Sequence, residues 1–170
     1  FATMQLAKAA NDASYDIIRI QPNSDDSGSD LTVNGGMGLF DNQVLMSSLV
    51  PLPVSGGFTL PVDVPAGSTK APLLSDPVMV AGGSVIRLAN NNSVLGLRFD
   101  ASNAAQTVFG TAISNPLPIT DATISGNEFT NYRDALVLQD VSGRLQIQNN
   151  LFDGLLGASN DGLRLSVAGG

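Results

Sequence analysis

Any chemistry done by this chain must use carboxylates and guanidinium groups. Its 170 residues include no His and no Cys. That excludes imidazole acid-base steps, Ser-His-Asp triads, His- or thiolate-ligated zinc, and disulfides. Asp134 and Asp161 are the candidate catalytic pair. Each precedes a short apolar run, Ala135-Leu136-Val137-Leu138 and Gly162-Leu163-Arg164-Leu165, and they lie 161 − 134 = 27 residues apart. If the two runs are parallel strands in register, the carboxylates stack ~5 Å apart. At that separation one can act as acid and the other as nucleophile in a retaining glycosidase. A polar residue just before a strand is equally what a turn requires, and the turn is the simpler reading.

Two further sets of residues can bind ligands. Arg19, Arg87, Arg98 and Arg164 each sit between two apolar residues: Ile18 and Ile20, Ile86 and Leu88, Leu97 and Phe99, Leu163 and Leu165. Strand alternation turns each arginine outward while its neighbours fill a core. Stacked in register, such arginines would hold carboxylated sugars bidentately; otherwise they are solvated positions with carboxylate neighbours. The third set is Asn23-Ser24-Asp25-Asp26-Ser27-Gly28-Ser29-Asp30. It offers Asp25, Asp26 and Asp30 to calcium and matches the early positions of an EF-hand loop. Asn34 stands where the bidentate Glu belongs, and Asp30 stands where an apolar residue belongs. A solvated turn is the simpler reading, so no cofactor is expected, and calcium is the alternative.

What would position these groups is a repeat. Ala122-Thr123-Ile124-Ser125-Gly126-Asn127-Glu128-Phe129 is matched by Leu145-Gln146-Ile147-Gln148-Asn149-Asn150-Leu151-Phe152, at an offset of 152 − 129 = 23. A third copy brings Gly96 and Phe99 into line with Gly126 and Phe129, 30 residues on (129 − 99 = 30). Self-similarity at such periods marks a stacked architecture, here built of short strands. Asn90-Asn91-Asn92 and Asn149-Asn150 fall between strands. Asn suits solenoid corners because it tolerates left-handed backbone and can bond to its counterpart in the next coil.

Taken in order, residues 1–13 read as a short amphipathic helix. Gln5, Lys8, Asn11 and Asp12 share a polar arc, and Phe1, Met4, Leu6, Ala9, Ala10 and Ala13 face an apolar surface. A strand follows from Tyr15 to Pro22, and short strands follow at Leu31-Thr32-Val33 and within Gly38 to Leu45. The stretch 47–77 holds six of the nine prolines (Pro51, Pro53, Pro61, Pro65, Pro72, Pro77). Such density excludes a central strand or helix interior. It reads as an excursion with one short strand at Phe58-Thr59-Leu60, and the regular coils resume over 84–170.

Composition narrows the function. Charged residues make up 14% of the chain, and the net charge of −7 repels phosphate backbones and anionic lipid heads, so nucleic acid is excluded as a partner. No stretch approaches the ~18 apolar residues of a membrane span, so no membrane insertion is expected. Hydrophobic content of 43% suffices for one cored domain over 1–170.

Helix, tight turn, strand, then repeated strands with Asn corners: this order resembles secreted bacterial right-handed parallel β-helix repeat proteins of the pectin lyase-like class. The resemblance covers 1–46 and 82–170 and implies an all-β fold, a right-handed parallel β-helix (solenoid) with a short N-terminal capping helix. Handedness comes from the resemblance, not from the spacing. It also implies export or attachment to the cell surface. Within that class the chain reads as an extracellular structural or adhesive scaffold, a segment of a fibre or large surface protein. The alternatives are a polysaccharide lyase or hydrolase fragment and a non-catalytic carbohydrate-binding module. The last strand is expected to stack on further coils of the same polypeptide or on another subunit, and polysaccharide is the expected ligand.

Overall fold

The computed structural model describes residues 8–14, 16–21, 31–32, 36–54, 58–60, 69–75, 83–101, 110–154 and 161–167. The chain enters with one turn of helix over residues 8–10 and winds through three strand positions per coil. The first circuit is β1 (Ile17–Ile20), β2 (Leu31–Thr32) and β3 (Met37–Gly38). Next comes β4 (Val44–Ser47), after which β5 (Leu52–Val54) and β6 (Phe58–Leu60) leave the stack as an antiparallel hairpin. The winding resumes with β7 (Leu73–Ser75), β8 (Ser84–Arg87), β9 (Asn92–Leu95) and β10 (Arg98–Asp100). It continues through β11 (Thr111–Ser114), β12 (Ile119–Ser125) and β13 (Glu128–Thr130). The last circuit is β14 (Asp134–Gln148), β15 (Leu151–Asp153) and β16 (Leu163–Val167).

Every pairing outside the hairpin is parallel and joins equivalent positions in successive coils, which makes the fold an all-β parallel β-solenoid. Its first face is β3-β8-β11-β14-β16. The second is β1-β4-β9-β12-β14, and the third is the five-stranded sheet β2-β7-β10-β13-β15. β14 belongs to both the first and second faces. Its early part pairs with β11 and its later part with β12, and Asp140 (φ 50°) and Gly143 (φ 70°) turn the corner between them. One ladder therefore bends through a corner and makes the two faces a single nine-stranded sheet.

Side chains stack as the strands do. Ile18, Leu45, Val94, Ile124 and Ile147 form one inward row. Phe99, Phe129 and Phe152 form another, with successive ring centroids 5.1 Å apart, so the aligned aromatic positions of the repeat are a stack of rings. The matched Gly96, Gly126 and Asn149 are also equivalent: all have positive φ (64°, 67° and 56°) at the corner between the second and third faces. A Cβ on Gly96 would lie 2.2 Å from Val50 Cγ2, so glycine is required there by space as well as by backbone. One residue on, Asn127 Nδ2 donates to Val94 O (2.9 Å) and Asn150 Nδ2 to Ile124 O (2.9 Å), and Asn150 Oδ1 accepts from Asn127 N (2.9 Å). This is the predicted Asn corner, and its side chains pair with backbone groups at the turn.

Two local readings need correction. The helix ends at residue 10, so Asn11 and Asp12 do not continue its polar face. Asn11 Nδ2 donates to Gly38 O (2.9 Å) and its Oδ1 accepts from Gln43 Nε2 (2.9 Å), while Ala9 and Ala13 are exposed. The orphaned polar groups of the first coil outbid the helical pattern. The second concerns the Pro-rich stretch 47–77. A coil strand, β7, lies within it, and Phe58-Thr59-Leu60 has a partner strand that includes Pro53. A two-stranded ribbon tolerates proline where a sheet interior does not. Residues 1–7 of the expected cap helix lie outside the described residues.

Candidate functional site

The outer side of the first face carries a cavity of about 570 Å³. Strand register builds it. Arg87, Ser114, Val137 and Arg164 occupy one register row across β8, β11, β14 and β16, and all four line the cavity. A second row at the strand starts consists of Ser84, Thr111 and Asp134. Ser84 Oγ lies 2.8 Å from Thr111 Oγ1 and 2.5 Å from Ser114 Oγ, so the hydroxyls form a connected set. Asn115 closes one side: its Nδ2 donates to Gln139 O (2.5 Å) and Leu117 O (2.8 Å), and its Oδ1 accepts from Gln139 N (2.8 Å). Those bonds fix the backbone where β14 approaches its corner.

Charge is concentrated here against the trend of the chain. Among the described residues, three of the eight basic side chains, Arg87, Arg133 and Arg164, line the cavity together with the carboxylate of Asp134, in a chain of net charge −7. Asp134 Oδ2 is 3.7 Å from Arg164 Nη1, and Asp161 Oδ2 is 3.9 Å from Arg164 Nε. The two candidate catalytic aspartates thus contact the same guanidinium, that of Arg164. Arg164 is half exposed, so water and salt screen these contacts. Asp134 Oδ1 is buried and finds no hydrogen-bond partner among the described residues. A buried acceptor left unpaired costs about 1–3 kcal/mol.

The four flanked arginines divide among three places. Arg87 and Arg164 share a row three inter-strand steps apart, roughly 14 Å, with Ser114 and Val137 between them. Arg98 stands directly across from Glu128 on the third face, with Nε 3.2 Å from Oε2. Arg19 Nη2 donates to Ser48 O (3.0 Å) and Val50 O (3.4 Å), clamping the chain where it leaves the second face for the hairpin. The calcium candidates Asp25, Asp26 and Asp30 lie outside the described residues. Among the described residues no group of three or more Asp, Glu, His or Cys side chains is close enough to hold a metal ion, and no helix is long and apolar enough to cross a membrane.

Sequence reasoning passed over Asn115, Gln139 and the hydroxyl row. One signal was there: Ser84 and Thr111 are separated by 111 − 84 = 27 residues, the same offset as Asp134 and Asp161. No family model, curated protein or solved structure matches the chain.

Proposed function

We propose that this chain is an extracellular structural and adhesive scaffold, a β-solenoid segment of a cell-surface fibre or large surface protein. In this reading it belongs with the secreted right-handed parallel β-helix proteins of the pectin lyase-like class that its sequence resembles. The observation that carries the reading is the state of the last coil. Leu163 and Leu165 align with Leu136 and Leu138, which are fully buried, yet they are 39% and 44% exposed. Phe152 and Ile147, which continue fully buried rows, are only partly covered. Such a surface fits another solenoid coil, with an aromatic over Phe152 and aliphatics over Leu163 and Leu165.

Sedimentation of the chain over a wide concentration range tests this. Assembly that grows with concentration and is abolished by Leu163→Lys with Leu165→Lys supports the scaffold; a strict monomer at high concentration overturns it. The alternative of a polysaccharide hydrolase needs Asp134 and Asp161 to act as a carboxylate pair, and the Arg164 guanidinium in contact with both weighs against that. Release of unsaturated products from uronate polymers with calcium would favour the lyase.

A further inference from the structure

We propose that the open last coil is a two-fold joint, at which two copies of the chain meet end to end with Phe152 of one on Phe152 of the other. This joint rests on the scaffold reading of that coil and names the surface that covers it. A second copy can offer its first coil or its last. The first coil is already closed. Its inward residues Ile18, Ile20 and Met37 are at most 2% exposed, so they present no apolar surface to an incoming coil. Its edge is also occupied. Leu39 N donates to Arg87 O (2.9 Å), which turns the carbonyl of the same trans peptide, Gly38 O, away from the stack, and Asn11 Nδ2 donates to it (2.9 Å). The last coil is the reverse: Leu163 and Leu165 are largely exposed, and Leu145, Ile147 and Phe152 are only partly covered. The mate of a last coil is therefore another last coil. Such a contact is isologous and closes at two copies.

Backbone polarity sets the register. Leu151 N donates to Asn127 O (2.8 Å) and Asp153 O accepts from Asn131 N (3.1 Å), so both residues turn their backbone groups toward the preceding coil. Phe152, between them, turns its N–H and C=O toward the open end. Two copies of β15 set antiparallel on a two-fold axis at Phe152 exchange both of those bonds. The Phe152 ring, which continues the stack of Phe99 and Phe129, then lies against its own counterpart. Gly162 O and Gln148 O accept from Leu136 N (3.0 Å) and Gly126 N (3.1 Å), so the neighbouring Leu163 and Ile147 also turn their backbone groups to the open end. The axis exchanges the two directions away from Phe152. It brings Leu163 over Ile147 and Leu165 over Leu145 of the second copy, aliphatic on aliphatic. In the outward rows Arg164 then faces Gln146 and Arg144 faces Ser166, so no like charges meet. A two-fold rotation preserves the hand of the winding, and the two spiral ends seat flush.

In sedimentation equilibrium the full chain should level off at twice its own mass as concentration rises. Growth without limit would overturn the two-fold joint and leave the scaffold standing, whereas a strict monomer would overturn both. Cysteine pairing reads the register, since the chain has no Cys of its own. Around an axis at Phe152, residue 151 of one copy stands opposite residue 153 of the other as a non-hydrogen-bonded pair, about 4.5 Å apart at Cα and within disulfide reach. Leu151→Cys and Asp153→Cys, both at exposed positions, should therefore crosslink with each other under dissolved oxygen about tenfold faster than either does with itself. Equal crosslinking of either variant with itself, or a dimer whose mixed variants do not crosslink, would also overturn the joint.

Discussion

The two ends of the solenoid carry the same kinds of side chain in opposite circumstances. In the first coil Ile18, Ile20 and Met37 are at most 2% exposed. There residues 8–14 lie against the stack: Gln43 Nε2 donates to Asn11 Oδ1 (2.9 Å) and Asp12 O (2.8 Å), and Gln43 Oε1 accepts from Phe40 N (2.9 Å). In the last coil the aliphatic positions that continue the same rows are partly or largely exposed. The inward pattern of a coil is therefore a property of its own residues, and its burial is a property of its neighbours.

The aromatic stack offers the strongest way to break this contrast. Phe129→Ala, with rings on both sides, should lose about 3–5 kcal/mol in urea denaturation, and Phe152→Ala at the open end less than half of that. Equal losses would mean that the last coil is as well packed as the middle. At the closed end, Gln43→Ala removes a buried amide that ties residues 11 and 12 to the first coil. It should cost about 1–3 kcal/mol and raise amide exchange in β1 and β4 before β12. Uniform exchange across the faces would count against a local clamp.

A subtler comparison uses the corner row. Gly126 has φ 67° and room for a Cβ, which would meet the Gly96 backbone at an ordinary van der Waals distance of 3.9 Å, while Asn149 holds the equivalent position one coil later. Gly126→Ala should cost about 1–2 kcal/mol and Gly126→Asn clearly less, as read from paired thermal midpoints. The smallest effect is at Asp12. Its carboxyl is held below the ordinary value by hydrogen bonds from the Ser14 side chain and backbone N–H, with burial opposing weakly. A depressed carboxyl stabilises fully above its ordinary range and loses that contribution as pH falls through the folded value. Ser14→Ala should slightly flatten the acid limb of a stability profile and leave neutral pH nearly untouched, and NMR titration of the Asp12 carboxyl reads the same change.

The stack was legible where a position demands one chemical type. Phe99, Phe129 and Phe152 repeat because rings stack, and Gly96, Gly126 and Asn149 repeat because few residues accept left-handed backbone. The candidate site was not legible for the opposite reason. Ser84, Thr111 and Asp134 share a row without sharing a chemistry, and β11 went unread. Nor could periodicity reveal that Asp140 and Gly143 bend one ladder around a corner, since a bend and a break are written with the same turn residues.

That bent ladder bears on how the molecule would respond to load. Towards the C-terminal end successive coils are separated by 23 to 30 residues (152 − 129 = 23; 129 − 99 = 30), so peeling one of them pays out roughly 75–110 Å of chain. Because β14 grips β11 on one face and β12 on the next, the two faces of that coil cannot let go one after the other without tearing through the corner. Pulled along its length, the solenoid should yield in coil-sized steps, with the coil containing β14 as its stiffest link.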